Sequence, residues 1–477
     1  MGGSQSRPPF RIVLAGPGKA GKSTVQKAAR LAMSSRECAD KAVTAAYSED
    51  ERKFMLKKIR RNIIDSTLLL TKTLRENEDK FKPTTEEKEL LHRKIPVESR
   101  LWGPLEVEQA EAIVNLWNCG LLKRVFDDMF SRDENSVDSC AAYFLPQATR
   151  FAGKDDVHNK LLANDVLYQR EETKKIEISE FVYPLEAPPA EQTVVNFLDV
   201  GGQKKWLDLA RTDPTHTDFV FRSRSYFVIV PIGDFDVFDE GVDRVSRSLK
   251  VLLDLFYMEG REFSPQKKIF VVFLNKSDTF KLKLDDGRFK RFQTEFKGHD
   301  WERELNPLLK RLEDEFEETK KKCCCAMLPR CCPGAEFTEQ GQGEDTPYAK
   351  YAASQQCVRE LATALGAKYT GPDGDEACAI KFFVAKVQKI IDTAKVVARK
   401  RVDAWDDAVF EGQSKILQST AIDFSSMEKI LRGKVFDEKF LMAGLLGEAG
   451  FNEHEGDDDG ELELGGASPA VVNPMRR

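Results

Sequence analysis

The sequence predicts an α/β protein whose mostly parallel sheet is interrupted by an inserted block of helices, and three observations carry that expectation. Short apolar runs with β character recur along the chain: 10-FRIVLA-15, 175-KIEISEFVY-183, 194-VVNFLD-199, 226-YFVIVP-231 and 268-KIFVVFLN-275. Helical stretches separate them, the pattern of parallel strands joined by crossover helices. Between the first two runs, residues 36–165 carry Glu, Lys, Leu and Ala at helical spacing and no strand, as in 105-LEVEQAEAIVNLW-117 and 121-LLKRVFDDMF-130. The third observation is 16-GPGKAGKST-24 at the exit of the first run, followed by Val25, Ala28, Ala29 and Ala32 at helical spacing.

Taken in chain order, the first strand and its loop already state a chemistry. Gly16, Gly18 and Gly21 let the backbone turn tightly enough for successive N–H groups to face one concavity, and a helix opening near Lys22 adds the positive end of its dipole. The stretch fits G-x-x-x-x-G-K-[ST]. Lys22 is then the charge on the β- and γ-phosphates and Ser23 the hydroxyl on Mg²⁺. Gly18, Lys19, Ala20, Gly21, Lys22, Ser23 and Thr24 are expected to cradle the phosphates.

At 199-DVGGQ-203 an aspartate ends a strand and two glycines let the backbone approach a terminal phosphate. Asp199 could hold Mg²⁺ through water, the Gly202 amide could sense the γ-phosphate, and Gln203 could orient an attacking water. At 275-NKSD-278 the Asn and Asp follow an apolar strand, at the sheet edge where open α/β sheets bind ligands. A carboxylate at Asp278 can accept both the exocyclic amino group and the N1–H of guanine, a donor pair that adenine lacks. GTP is therefore expected over ATP.

Beyond the last apolar strand, 301-WERELNPLLKRLEDEFEETKKK-322 reads as a charged helix running into 323-CCCAMLPRCC-332 and a polar loop. Helices resume at about 348–365 and 380–404. The tail from about 447 is rich in Asp, Glu and Gly and is expected to be disordered.

Bulk numbers narrow the function classes. The net charge of −6 implies no general attraction to nucleic acid, and no basic stripe interleaved with aromatics argues otherwise. The longest apolar runs are far too short to cross a bilayer. The start carries no positive-then-apolar signal sequence, so the ten cysteines are read as reduced thiols in the cytosol. Met1-Gly2-Gly3-Ser4-Gln5-Ser6 fits M-G-x-x-x-[ST], the pattern for myristoylation of Gly2, which needs a second signal to hold a membrane. Cys323, Cys324, Cys325, Cys331 and Cys332 lack the spacing of a tetrahedral zinc site. Palmitoylation beside Lys320–Lys322 and a solvated loop with reactive thiols both remain open.

These motifs, in this order, resemble a heterotrimeric G-protein alpha subunit: the phosphate loop, DVGGQ, NKSD and the inserted helical block are all present. The stretch 165-DVLYQREETKK-175 resembles the family's first switch and 138-DSCAAYFL-145 a segment of its helical domain. The resemblance implies a Ras-like P-loop GTPase domain with an inserted all-helical domain, binding GTP/GDP with Mg²⁺ and hydrolysing GTP. It implies Arg170 as the arginine facing the transferring charge beside Gln203, and Thr173 as a second hydroxyl on Mg²⁺ with Ser23 and Asp199. Ser139 and Leu167 would line the nucleotide, Asn275, Lys276 and Asp278 the guanine, and Ala379 of 378-CA-379 would give an amide to the guanine oxygen.

The implied domains are an N-terminal acylation segment (1–9), a Ras-like domain (10–35 and 166–395, with a Cys-containing insertion at about 320–347), the helical domain (36–165) and a C-terminal extension (396–477). The implied setting is cytoplasmic, peripheral on the inner face of a membrane, with a beta-gamma dimer, a seven-helix receptor and an effector as partners.

The chain also departs from the family's pattern. Lys19 stands where the family has a glutamate expected to pair with the switch arginine, so it would repel Arg170 or add charge to the phosphates. The chain after Gln203 runs directly to 204-KKW-206, a shortened second switch. The few residues before the first strand are too short for the helix that docks beta-gamma, and the C-terminal extension replaces the usual receptor-binding end. Two rivals therefore stand beside a GTP-hydrolysing switch: a nucleotide-holding interaction module without useful hydrolysis, and another P-loop ATPase or nucleotide kinase.

Overall fold

Strand β1 (Phe10–Ala15) is the organising element because its side chains alternate between two cores. Ile12 and Leu14 enter one apolar cluster with Phe227, Ile229 and Phe273, while Val13 and Ala15 enter another with Tyr226, Val228, Phe270 and Leu274. A strand buried on both faces has no polar side, which is why these segments read as unbroken apolar runs. The structure is a computed structural model and describes residues 9–34, 39–95, 105–132, 140–153, 158, 160–170, 177–183, 193–199, 219–220, 223, 225–258, 269–295, 299–326, 347–372, 374–398 and 414–418.

Among the described residues the main sheet has six strands: β1, β2 (Glu177–Tyr183), β3 (Thr193–Asp199), β4 (Ser225–Pro231), β7 (Ile269–Asn275) and β8 (Ser414–Gln418), with a short hairpin of β5 (Phe238–Asp239) and β6 (Val242–Asp243) outside it. The order is β2-β3-β1-β4-β7-β8. Only β2, at one edge, runs antiparallel to its neighbour; β1, β3, β4, β7 and β8 are parallel. The register sets Leu14 beside Asp199, Pro231 beside Asn275, and Leu274 beside Gln418, so the strand exits share one edge.

On one face, α1 (Lys22–Ser34) follows β1 and leads through α2 (Ala39–Ala46) into the helical block. The block holds α3 (Glu49–Glu76), α4 (Glu78–Phe81), α5 (Thr85–Lys94), α6 (Val107–Asn118), α7 (Leu121–Arg132) and α8 (Cys140–Phe144), and α9 (Ala163–Tyr168) returns the chain to the sheet. Helix α3 starts at a reciprocal cap: Glu51 N–H donates to Ser48 Oγ (3.3 Å) and Ser48 N–H to Glu51 Oε2 (2.7 Å). Its buried Ile59, Ile63, Leu70 and Leu74 recur at helical spacing and anchor the block's core. The opposite face of the sheet is covered by α10 (Arg244–Met258), α11 (Ser277–Asp285), α12 (Arg288–Glu295), α13 (Trp301–Ala326), α14 (Pro347–Gly366) and α15 (Glu376–Ala398).

Two sequence expectations are corrected here. The backbone of α13 stays helical to Ala326, so Cys323–Cys325 continue the helix instead of opening a loop; Cys331 and Cys332 lie outside the described residues. Residues 396–477 are also not all an extension of the sheet domain, because Ser414–Gln418 pairs in parallel with β7 as the sheet's sixth strand. Lone five-residue strands carry too little periodicity to read, and SKILQ needed a partner to become visible.

Candidate nucleotide site

The loop after β1 lies at the shared strand edge and needs its glycines for two separate reasons. Gly16 has φ 143°, and a Cβ there would lie 2.8 Å from the Ile229 carbonyl oxygen. Gly21 has φ 99°, and a Cβ there would run into Asn275 Nδ2. The loop is thus pressed against two neighbouring strands. Lys19, exposed at its crest, takes a left-handed φ of 59°, a conformation that costs a residue with a Cβ about 1 kcal/mol.

Lys22 opens α1 and folds back beneath the loop, donating from Nζ to the carbonyls of Gly16 (2.9 Å) and Pro17 (2.8 Å). Burial holds its pKa below the usual lysine value, and the Asp199 carboxylate offsets part of that. Next to it, Ser23 Oγ donates to Asp199 Oδ2 at 2.5 Å, joining the first turn of α1 to the end of β3. Among the described residues no group of three or more His, Cys, Asp or Glu could hold a metal by itself. A hydroxyl and a carboxylate meeting at one point are nonetheless a hard-oxygen pair that fits Mg²⁺, which takes one or two protein oxygens and completes its shell with phosphate and water.

Arg170 reaches the same place from the far side, its Nη1 donating to Thr24 Oγ1 at 3.3 Å. Its main chain is held by a residue that sequence reasoning missed. Arg170 N–H donates to Asn62 Oδ1 (3.0 Å), and Asn62 Nδ2 donates to Arg170 O (3.2 Å). Lys27, on α1, donates to Gln169 O (2.9 Å) and Gln169 Oε1 (2.6 Å). Helix α9 delivers these residues and is fixed by buried Asp165, which accepts from Tyr143 Oη (2.8 Å), Arg150 Nη2 (3.0 Å) and Leu162 N–H (2.8 Å). No local motif marks Asn62, one polar residue among many on a long helix.

The end expected to take the purine is assembled from separate elements. Asn275 Nδ2 donates to Ala20 O at 2.9 Å, tying the end of β7 to the phosphate loop. Lys276 has φ 61° and its Nζ bonds both oxygens of Asp234 (2.8 and 2.6 Å), which Arg244 Nη1 also reaches at 3.0 Å. Burial opposes the Asp234 charge, yet Lys276 and Arg244 together outweigh it and hold its carboxyl below the ordinary range. Asp278 is exposed at the rim in the first turn of α11. The protein packed around it strips enough water to push its carboxyl up, against the pull of nearby amides, Lys276 and Arg170. Exposure to solvent together with a crowded flank suits a group that meets its ligand from outside.

Other expected residues fall elsewhere. Leu167 is wholly buried in α9. Ala379 is also wholly buried, and its amide donates to Asp375 O at 3.0 Å within the first turn of α15. That donor is committed inside the helix, which corrects the expectation placed on 378-CA-379. The strand exit next to Asn275 is instead Gln418; the residues that follow, Ser419-Thr420-Ala421, lie outside the described residues. Gly2, Ser139, Thr173, Gly202 and Gln203 lie outside them as well.

A parallel sheet with a glycine loop, a buried lysine and a Ser–Asp pair at the exit of its central strand defines a P-loop nucleotide-binding protein. The sequence profile of the family described as G-protein alpha subunit matches residues 3–331. The guanine nucleotide-binding protein alpha-2 subunit of Dictyostelium discoideum is 25% identical over 314 residues, covering 63% of this chain and 78% of the relative. The alpha-1 subunit of Neurospora crassa is 26% identical over 310 residues, covering 62% and 75%. The alpha-2 subunit of Schizosaccharomyces pombe is 22% identical over 293 residues, covering 61% and 73%. The chain belongs to the G-protein alpha subunit family, and it is a guanine-nucleotide-binding signalling protein of Ras-like fold with a helical domain. Members of the family are GTPases in general. Among the described residues no helix is long and apolar enough to cross a membrane.

Proposed function

We propose that this chain binds GTP with Mg²⁺ and hydrolyses it, so that it cycles between GTP and GDP forms. The observation that carries the proposal is the approach of Arg170 to Thr24, which sets a permanently charged fork beside the phosphate loop. Lys22 and the amides of Gly18 through Thr24 hold the β- and γ-phosphates. Ser23, Thr173 and, through water, Asp199 hold Mg²⁺, whose charge when bound offsets that of the phosphates. Gln203 orients the attacking water, Arg170 faces the charge that spreads as the γ-phosphoryl transfers, and the Gly202 amide reads the γ-phosphate. Asn275, Lys276 and Asp278 select guanine, and Ser139 is a further contact to the nucleotide.

Myristate on Gly2 would give peripheral attachment at the inner membrane face, and mass spectrometry of the amino-terminal peptide tests it. Beta-gamma dimer, receptor and effector are tested by capture on GDP- and GTP-loaded protein. Single-turnover hydrolysis is the deciding measurement. Turnover should fall about 100-fold in Arg170→Ala and in Gln203→Leu while GTP binding persists. GTP bound by the unaltered chain without phosphate release would instead support the interaction module, which the added charge of exposed Lys19 in the phosphate loop favours.

A further inference from the structure

We infer that Asn62 is a positioning residue for GTP hydrolysis: from the helical block it clamps the main chain of Arg170 and so fixes where that guanidinium stands over the phosphate loop. This rests on the hydrolytic function proposed above. The Asn62 carboxamide makes a closed pair with one residue, accepting from Arg170 N–H (3.0 Å) and donating to Arg170 O (3.2 Å). A carboxamide that bonds the N–H and the C=O of one residue ties together the two peptide planes on either side of its Cα and leaves its φ and ψ little freedom. Side-chain amides rarely find both partners on one residue by chance, because each bond needs its own alignment.

The surroundings explain why the clamp is needed. Arg170 lies two residues past the end of α9, and its N–H donates to Asn62 instead of to a carbonyl of that helix. Lys27 fixes the preceding residue from the sheet side through Gln169 O (2.9 Å), and Asp165 fixes the helix before it. Asn62 bonds both the N–H and the O of Arg170 itself, and Gln169 Nε2 also donates to that O (3.3 Å). Helix α3 is in turn held at this height by Arg60, which donates to Phe151 O (2.7 Å) and Gly153 O (2.6 Å) inside the block. A catalytic cation displaced by about 1 Å can lose about 100-fold in rate, so main-chain placement is worth a dedicated side chain.

The test uses the full chain, with unaltered protein, Asn62→Ala, Asn62→Asp, Arg170→Ala and the Asn62→Ala/Arg170→Ala pair. Single-turnover GTP hydrolysis, affinity for a non-hydrolysable GTP analogue and thermal unfolding are measured for each. The expected result is a 10- to 100-fold slower turnover in Asn62→Ala with analogue affinity within about threefold of the unaltered chain. Asn62→Asp keeps the acceptor for Arg170 N–H and should recover part of the rate. On the Arg170→Ala background, removing Asn62 should cost nothing further in turnover, because the only group it positions is gone. Equal losses on both backgrounds, or a loss that follows the unfolding temperature, would overturn the inference in favour of a simple stitch between domains. Unaltered protein that hydrolyses GTP through Arg170 and is indifferent to Asn62→Ala sinks this inference alone. Unaltered protein that binds the analogue and never releases phosphate sinks the hydrolytic function first.

Discussion

The end of the site proposed for the phosphates and the end proposed for the purine are built in opposite ways. The phosphate end is one contiguous loop and the helix turn that follows it, Gly16 to Thr24, held by its own carbonyls on Lys22. The purine end gathers Asn275 and Lys276 from the exit of β7, Asp278 from α11 and Asp234 from the turn after β4, with Gln418 next door. Phosphates present repeated charge and acceptor oxygens, which successive backbone amides can satisfy from a short segment. A base edge presents a few donors and acceptors at fixed angles, and matching them takes side chains from several elements.

Four substitutions sharpen or break this contrast. Lys22→Ala should have the largest effect, weakening GTP binding about 1,000-fold whatever the base, because Lys22 is the buried charge held beneath the loop while Lys19 is exposed to solvent. A filter-binding comparison of GTP with ATP would show both weakened together; a loss confined to GTP would break the contrast. Asp234→Ala should cost about 3 kcal/mol of stability, since it removes the carboxylate that Lys276 and buried Arg244 share and leaves Arg244 only Asp239 of its two carboxylate partners. Denaturant unfolding reads that cost, and phosphate affinity of the refolded protein should change least.

Asp278→Asn should lower GTP affinity about 100-fold and leave free-phosphate competition unchanged, because only the base contact is lost. Equilibrium titration with a fluorescent guanine nucleotide checks it; an undiminished affinity would remove Asp278 from the purine end.

The smallest effect lies behind that end, on α15. Burial brings Lys386 from 10.5 down to about 8, with Asp243 offsetting part of the shift. Below about pH 8 folded and unfolded chains both hold this proton and the burial cost is fully present. Between about 8 and 10.5 the folded chain releases the proton while the unfolded chain keeps it, so this lysine's contribution to stability rises with pH. Lys386→Met should flatten that rise, by about 2 kcal/mol between about pH 7 and about pH 9.5, read as the difference in unfolding free energy between the two proteins.

What the sequence determined by itself was whatever a short segment can fix. The strand runs, the glycine loop, Ser23, Asp199 and NKSD were all legible, because hydrophobic period, turn chemistry and helix starts are local. The inserted helical block was legible from its length and spacing. What only the tertiary structure decided were the pairings across long separations: Asn62 with Arg170, Asp234 with Lys276, and Ser414–Gln418 with β7. The misplaced guanine contact shows the reason. Cys378-Ala379 matched a pattern of side chains, yet a buried amide already bonded to Asp375 has nothing left to offer. Whether a backbone group is free is settled by its neighbours in space, and those neighbours are set by strand order, which five residues of SKILQ could not announce.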